Sequence, residues 1–144
     1  MHTARARRIN STARTTDRQE EREQARLVKW SHLSAVRAVM PELARLHHSP
    51  NGGQRSAFTG AQMKALGTKP GWPDLVLPMR DGGVAIEMKR PDGTGRTSPE
   101  QTGWLDWLTA CGWTVAVCTS ADDARVMLCH ALGIQPDSVP GLDP

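Results

Sequence analysis

Residues 73–91 read PDLVLPMRDGGVAIEMKRP and contain two short apolar segments on either side of a turn sequence. The segments are residues 74–78 and 84–88, and residues 81–83 between them are Asp-Gly-Gly. Two short apolar segments joined by a glycine-rich turn are typical of a β-hairpin. We therefore predict two antiparallel strands, in which successive side chains point to opposite faces of a sheet.

Upstream of this hairpin, the sequence predicts helices and one short strand. Apolar residues recur at three- and four-residue steps over residues 18–47, which is typical of a helix that Pro41 ends or kinks. A short strand is predicted at residues 55–58. Thr59 is then expected to cap a helix over residues 60–66, because its hydroxyl can accept a hydrogen bond from the first helical turn.

Downstream of the hairpin, the sequence predicts two helices with a strand between them. Residues 98–101 read SPEQ, a capping-box pattern that predicts the start of a helix ending near residue 111. An apolar strand is predicted at residues 113–118, followed by a serine-capped helix over residues 120–132. This order of elements predicts a mixed α/β domain with one central sheet flanked by helices.

The length and charge of the chain suggest one folded domain with two tails. The 144 residues suit a single compact domain. We expect a disordered basic tail at residues 1–17, the folded domain at 18–134 and an irregular C-terminal tail at 135–144. The net charge is +3, and residues 1–19 alone carry five arginines and one aspartate, a balance of +4. The basic tail is therefore expected to be a flexible, nonspecific arm on nucleic acid.

The cysteines and the hydropathy pattern exclude several classes of protein. Cys111, Cys118 and Cys129 have no CxxC spacing, which argues against a disulfide framework or a structural zinc site. No apolar run approaches the ~20 residues that a membrane-spanning helix needs. We therefore expect a cytoplasmic protein without a membrane span.

Asp74, Glu87 and Lys89 are the residues of the hairpin that can carry chemistry. Glu87 and Lys89 are two residues apart and so point to the same face of a strand, and antiparallel pairing can bring Asp74 beside them. Two carboxylates this close repel each other unless a divalent cation, which prefers oxygen ligands, lies between them. Such a cation activates water and polarises a phosphate, and a lysine stabilises the charge that develops. The pattern predicts a metal site that hydrolyses phosphodiester bonds.

Pro73-Asp74 followed by Glu87-Met88-Lys89 resembles the PD-(D/E)xK nuclease signature. The surrounding sequence is similar to the virus-type replication-repair nuclease domain (VRR-NUC), especially its small stand-alone phage forms, over roughly residues 20–132. The segments that carry the resemblance are Asn51-Gly52-Gly53, Gly60-Ala61 with Lys64 and Gly67, Gly71-Trp72-Pro73-Asp74-Leu75, Ile86-Glu87-Met88-Lys89-Arg90-Pro91 and Ser98-Pro99-Glu100-Gln101. The resemblance implies a restriction-endonuclease-like core with a central mixed sheet.

The resemblance also implies further residues of the site. It assigns a glutamate of the first helix to the metal, and this role falls on Glu20, with Glu21 and Glu23 as rivals. It assigns a downstream glutamine of the site to Gln101 and a metal-coordinating backbone carbonyl to a position near Met88. The implied metal is magnesium or manganese.

Several of these residues also have a purely structural interpretation. Asp74 suits a turn after proline, and Glu87 with Lys89 suits a surface ion pair. Gln101 is fully explained by the capping box, although the two roles can coexist. Glu20 suits the start of a helix, where the helix dipole favours an acid.

A basic stretch lies immediately before the predicted site. No acidic residue occurs between Leu43 and Pro73, and four basic residues do: Arg45, Arg55, Lys64 and Lys69. Such a stretch can draw a polyanion toward a pair of carboxylates. We predict that Arg55, Lys64 and Lys69, together with Arg90, contact DNA phosphates. Trp72 either stacks on a base or packs in the core, and Trp107 is predicted to be core.

The resemblance implies a structure-specific DNA endonuclease acting in replication, recombination or repair, encoded by a phage or prophage. Small stand-alone members of the family look like resolvases of branched DNA, such as four-way junctions, and act as homodimers. A two-fold dimer would place two sites on two strands of a junction. Two alternatives remain open: a restriction-like or nicking nuclease with another DNA preference, and a non-catalytic nucleic-acid binding module.

Overall fold

The structure is a computed structural model that describes residues 18–50 and 57–144. Its secondary structure alternates helices and strands, as the sequence predicts. The helices are α1 at residues 18–31, α2 (Ser34–Val39), α3 (Ala57–Ala65), α4 (Pro99–Ala110) and α5 (Ala121–Ala131). Two 3-10 helices span Pro41–Arg45 and Pro136–Ser138. The basic tail predicted at residues 1–17 and the strand residues 55 and 56 lie outside the described residues.

The strands form one four-stranded sheet in the order β1-β2-β3-β4. They are β1 (His47–His48), β2 (Leu75–Met79), β3 (Gly82–Met88) and β4 (Thr114–Cys118). Strand β2 pairs antiparallel with both β1 and β3. The sheet is mixed and flanked by helices, which confirms the predicted α/β fold class.

The predicted hairpin is confirmed, with a tighter turn than the sequence indicates. Met79 pairs with Gly82, so only Arg80 and Asp81 form the loop. Gly82 has a φ of +117°, and a Cβ there would lie 2.9 Å from the carbonyl oxygen of Gly112. Only glycine tolerates both conditions. Because Gly82 pairs with Met79, it belongs to the start of β3 rather than to the loop.

The helical segment predicted over residues 18–47 is divided into two α-helices and a 3-10 helix, and the prediction is wrong at His47, which lies in a strand. Helix α1 ends at residue 31, α2 ends at Val39, and Pro41 begins a 3-10 helix. Proline has no N–H to continue the α-helical ladder, but it suits the first position of a new turn. His47 and His48 then pair with Val76 and Leu75 as an edge strand. Tertiary pairing with β2 overrides the helical spacing of the sequence here.

The strand predicted at residues 55–58 is also wrong over its described part, because α3 begins at Ala57. Thr59 consequently lies inside this helix and does not cap it. Three alanines at positions 57, 61 and 65 favour the helix locally. Gly67, with a φ of +99°, ends the helix as predicted, since the left-handed conformation suits glycine.

The chain divides into two compact units. The first contains the described residues of Met1–Ala44 together with Met88–Arg96 and Val117–Pro144. In it Trp30, which is 2% exposed, donates a 2.7 Å hydrogen bond from its indole N–H to the carbonyl of Pro140. The segment 135–144, predicted to be irregular, thus contains a 3-10 helix and a carbonyl that accepts a bond from the core of its unit.

The second unit contains Arg45–Glu87 and Thr97–Ala116. Its core lies between the hairpin and α4, where Val76, Ala85 and Leu108 are buried together. Trp72, Trp113 and Val115 pack against this cluster and are partly buried. Val76 and Ala85 are paired across the hairpin, so one face of the hairpin is turned toward α4. No helix in the described parts of the chain is long and apolar enough to cross a membrane.

Candidate active site

Asp74 and Glu87 lie opposite each other at one end of the hairpin. Leu75 pairs with Ile86 at this end of the ladder, and the same register continued by one residue sets Asp74 against Glu87. Both side chains then point to the face of Val76 and Ala85, because side chains alternate along a strand. Directly opposed residues of an antiparallel pair have Cβ atoms about 4.5–5.5 Å apart. The hairpin therefore brings the two predicted carboxylates together on one face.

Glu87 is deeply buried for a carboxylate. It is 2% exposed and lies in a strand whose neighbours Val84, Ala85 and Ile86 are buried and apolar. A carboxylate in such surroundings needs polar partners to offset the loss of hydration. One partner is Gln101, whose side-chain amide nitrogen donates a 2.5 Å hydrogen bond to Oε1 of Glu87. Asp74 is only half-buried.

Gln101 is held in place by the start of α4. Its side-chain oxygen accepts a 2.8 Å hydrogen bond from the backbone N–H of Ser98, and its own backbone N–H donates to the Ser98 hydroxyl at 3.2 Å. This is the capping box that the sequence predicts. Because the cap uses the amide oxygen, the amide nitrogen is the end that faces Glu87. The Gln101 side chain therefore caps α4 and contacts Glu87 at the same time, and its role in the active site stays a prediction.

The backbone of Asp74 is fixed by the edge strand. The Nδ1 atom of His48 lies 2.7 Å from the Asp74 carbonyl oxygen, and the Ser49 N–H donates to the same oxygen at 3.4 Å. His48 was missed as a site neighbour because its position was predicted to be helical. No pattern in a two-residue strand would have identified it, since two residues show no periodicity.

The loop that leads into Asp74 lies against the start of α4. Gly71 has a φ of +85°, and a Cβ on it would lie 2.5 Å from the backbone carbon of Glu100 and 2.6 Å from the backbone nitrogen of Gln101. Only glycine allows this approach. The contact ties the position of the loop before Asp74 to the helical turn that carries Gln101.

Met88, the last residue of β3, and Lys89, which follows it, belong to the first unit. Lys89 is 8% exposed, and its backbone N–H donates a 2.8 Å hydrogen bond to the carbonyl of Cys118. A Cβ on Gly95 would lie 3.2 Å from the Cβ of Lys89, so a glycine lets this loop lie close to the lysine stem. Glu87 and Lys89 are both buried, whereas the residues of a surface ion pair are exposed. Their burial therefore does not fit the surface ion-pair interpretation.

The three rival glutamates of α1 have different surroundings. Glu23 accepts hydrogen bonds from Arg26 at 3.1 Å and from the backbone N–H of Ala121 at 2.8 Å, so it holds the start of α5. Glu21 is exposed, whereas Glu20 is half-buried and lies seven residues before the buried Leu27. These contacts give Glu23 a structural role and leave Glu20 as the predicted carboxylate of this helix.

The donor atoms of the hairpin suit a hard cation. Facing carboxylates offer the oxygen ligands that Mg²⁺ and Mn²⁺ prefer, and Mg²⁺ commonly keeps several waters beside one or two carboxylates. Among the described residues, no group of three or more His, Cys, Asp or Glu side chains has a metal-holding arrangement. Asp74 and Glu87 carry the donor chemistry that such an ion needs, and metal binding by them, by Glu20 and by the carbonyl of Met88 stays a prediction.

The predicted DNA-contacting residues differ in their exposure. Lys64 is exposed in the last turn of α3, Lys69 is exposed in the loop before Gly71, and Arg90 is half-buried. Arg55 lies outside the described residues. Phosphate contact by these four residues stays a prediction.

Two tryptophans differ from their predicted surroundings. Trp72 packs edge-on against Trp104, with ring centroids 4.8 Å apart and planes at 83°, and also contacts the core cluster of its unit. The packing alternative therefore describes Trp72. Trp107, predicted to be core, is 65% exposed, because it lies on the opposite face of α4 from the buried Leu105 and Leu108.

Comparison with known proteins identifies the class to which this fold and site belong. The VRR-NUC domain family matches residues 7–122, which is most of the chain. The chain therefore belongs to the VRR-NUC domain family. A solved structure described as "VRR_NUC domain protein" has the same fold, with a TM-score of 0.64 and 24% sequence identity over 81% of this chain and 89% of that one. A search of curated proteins gives no match. Membership of the family implies a nuclease-type function on DNA.

Proposed function

We propose that this protein is a magnesium- or manganese-dependent DNA endonuclease whose core is Asp74, Glu87 and Lys89. The observation that carries the proposal is the cross-strand pair of carboxylates, with Glu87 buried and held by Gln101. A buried carboxylate facing a second one is costly in a purely structural role. A divalent cation bound by both carboxylates relieves this cost. The VRR-NUC family implies that the reaction is that of a nuclease.

Each residue of the site has a role that its surroundings support. Asp74 and Glu87 hold the cation through their carboxylate oxygens, with Glu20 and the Met88 carbonyl as further ligands. When bound, the cation lowers the pKa of a water ligand and polarises the scissile phosphate. Gln101 fixes the orientation of Glu87, and the rigid cap at Ser98 keeps this bond in place. Lys89 would supply an ammonium group to stabilise the negative charge that develops on the phosphate.

Branched DNA, such as a four-way junction, is the substrate we propose. A homodimer with two-fold symmetry would present two sites to two strands of a junction. We further propose that the protein acts in the cytoplasm of a bacterial host, as a phage or prophage product.

The test is cleavage of a panel of junction, flap and linear duplex DNA, with magnesium, with manganese or with chelator. Asp74→Asn and Glu87→Gln remove one charge each at nearly constant shape. We expect each to reduce the cleavage rate by at least ~100-fold, because loss of a metal ligand costs more than loss of a residue supporting one. Asp106→Asn, which removes an exposed carboxylate from α4, is the matched control and should cleave normally.

The outcome separates the possible functions. Cleavage that persists in Asp74→Asn and Glu87→Gln would exclude this site. Metal-dependent cleavage of linear duplex in preference to junctions would indicate a restriction-like or nicking nuclease. A binding module would bind DNA without cleaving it. Magnesium would then raise the melting temperature of the wild type no more than that of Glu87→Gln.

A further inference from the structure

A shallow apolar groove lies along the exposed face of α4, in the same unit as Asp74, Glu87 and Gln101. It has a volume of about 440 Å³, and its lining residues are Lys69, Pro70, Glu100, Gly103, Trp104 and Trp107. Trp107 forms one side and is 65% exposed. Gly103 leaves open space beside the two indoles, since a Cβ there would meet nothing within 4 Å. The two indoles and Pro70 form contiguous apolar surface beside Lys69 and Glu100, and exposed apolar surface with a polar rim can mark a binding groove.

The floor of the groove is rigid. The indole N–H of Trp104 donates a 3.0 Å hydrogen bond to the carbonyl of Pro70, and its ring packs edge-on against Trp72. The polar atom of Trp104 is thereby used within the protein, and what remains for a ligand is the flat face of a ring. A surface of ring faces recognises other flat rings with little dependence on their hydrogen-bonding groups.

We propose that this groove stacks an unpaired base of the DNA substrate, so that the nuclease recognises DNA with single-stranded character near the cleaved bond. The inference rests on the proposed function. Glu100, which lines the groove, immediately precedes Gln101, so the groove adjoins the turn that holds Glu87. A base in the groove therefore belongs to the same strand segment as a phosphate at the carboxylate pair.

The charge and size of the groove favour a base over other occupants. Lys69 and Glu100 carry opposite charges, so the groove is neutral and suits an uncharged ring, with Lys69 available to the phosphate next to it. A stable dimer interface buries roughly 800 Å² on each partner, which four residues on two turns of α4 and two residues of the loop before Gly71 do not supply. A volume of about 440 Å³ is in the range of pockets that hold small flat ligands.

The test measures binding of a short oligothymidine strand, a forked duplex and a blunt duplex of equal length, all in chelator so that no cleavage occurs. Trp107→Ala should weaken binding of the oligothymidine and of the fork by about 5- to 100-fold, the usual range for loss of one stacked base. Binding of the blunt duplex should be nearly unchanged. Trp107→Phe should restore most of the loss, because a phenyl ring also stacks. Leu66→Ala, which removes an 82% exposed apolar side chain outside the groove, is the matched control.

A second experiment locates the base. Single abasic nucleotides are placed in turn along the unpaired arm of the fork. One position should weaken binding to the wild-type protein and have no further effect on Trp107→Ala. Equal effects of the abasic position on both proteins would overturn the proposal. A change in sedimentation mass of Trp107→Ala with unchanged DNA binding would also overturn it, in favour of a contact between copies of the chain.

The result is separable from the test of the nuclease itself. If Glu87→Gln abolishes cleavage while Trp107→Ala binds and cleaves forks normally, the groove proposal fails and the nuclease proposal stands. If Trp107→Ala loses fork binding while the wild type cleaves no DNA in any metal, the groove holds a base in a protein that is not a nuclease.

Discussion

Gln101 donates a 2.5 Å hydrogen bond to the buried carboxylate of Glu87 while its other amide end caps the helix from which it projects. One side chain therefore belongs both to the start of α4 and to the candidate metal site. The cap fixes which end of the amide faces the carboxylate, so the orientation of Glu87 depends on the integrity of the first turn of α4.

The dual role of Gln101 can be separated by two substitutions. Ser98→Ala removes the hydroxyl of the cap and should lower the free energy of unfolding by ~1 kcal/mol, with little loss of activity at temperatures where the protein is folded. Gln101→Met removes the cap bond together with the bond to Glu87. It should cost a similar amount of stability and also reduce cleavage by about 10- to 100-fold, as expected for a group that supports a metal ligand.

The measurements are urea unfolding and cleavage rates over a magnesium titration. A merely structural glutamine would give the two variants equal activity at equal stability. A positioning role for Gln101 predicts instead that only Gln101→Met needs more magnesium for half-maximal cleavage. Equal magnesium dependence of both variants would contradict the positioning role.

Gly71 is expected to be the least replaceable glycine near the site. Alanine at this position would be strained at a φ of +85° and would also lie 2.5 Å from the Glu100 backbone, which cannot move without moving Gln101. Gly67→Ala is the matched control, because it has a similar φ of +99° but open space around its Cβ. Gly67→Ala should cost about 1–2 kcal/mol of stability, the usual cost of the left-handed conformation.

Gly71→Ala should cost more than the control, in total about 3 kcal/mol or more, and should also reduce activity. Urea unfolding and cleavage at saturating magnesium give the two quantities. If both alanine variants lose equal stability and keep full activity, the close approach of the loop to α4 has no functional importance.

The sequence predicts the parts of this structure that depend on local pattern. The hairpin, α4 with its capping box and the opposition of Asp74 and Glu87 follow from alternation, turn residues and cap residues. The edge strand at His47 does not, because a two-residue strand has no periodicity of its own and forms only where β2 offers an edge. For the same reason, the sequence does not predict the contact of His48 with the Asp74 carbonyl.

Exposure of aromatic side chains is also poorly determined by sequence. Trp104 and Trp107 are three residues apart on α4, and Trp107 was predicted to be core. Helical spacing shows which residues share a face, but it does not show where the covered part of that face ends. Trp104 contacts Trp72 and Pro70, whereas Trp107 lies one turn further on and is left largely in water.

The thiol of Cys118 gives a pH dependence of stability whose sign follows from burial. Burial raises the pKa of Cys118 from 9.0 to about 11, and the negative charge of Asp123 adds to the shift. The folded protein therefore keeps this thiol neutral where the unfolded chain already ionises. Stability from this group is fully present below pH 9 and should be lost as the pH rises from about 9 to about 11.

The measurement is the free energy of unfolding of the wild type, Cys118→Ala and Cys111→Ala between pH 8 and pH 11. The difference between the wild type and Cys118→Ala should shrink across this window, because alanine has no proton to lose. Cys111 is exposed, so Cys111→Ala should follow the wild type at every pH. Burial also raises the pKa of Cys129, so Cys118→Ala should still lose some stability with rising pH, with the same sign. Parallel curves for the wild type and Cys118→Ala would show that the Cys118 thiol ionises equally in both states, in contradiction to its burial at 4% exposure.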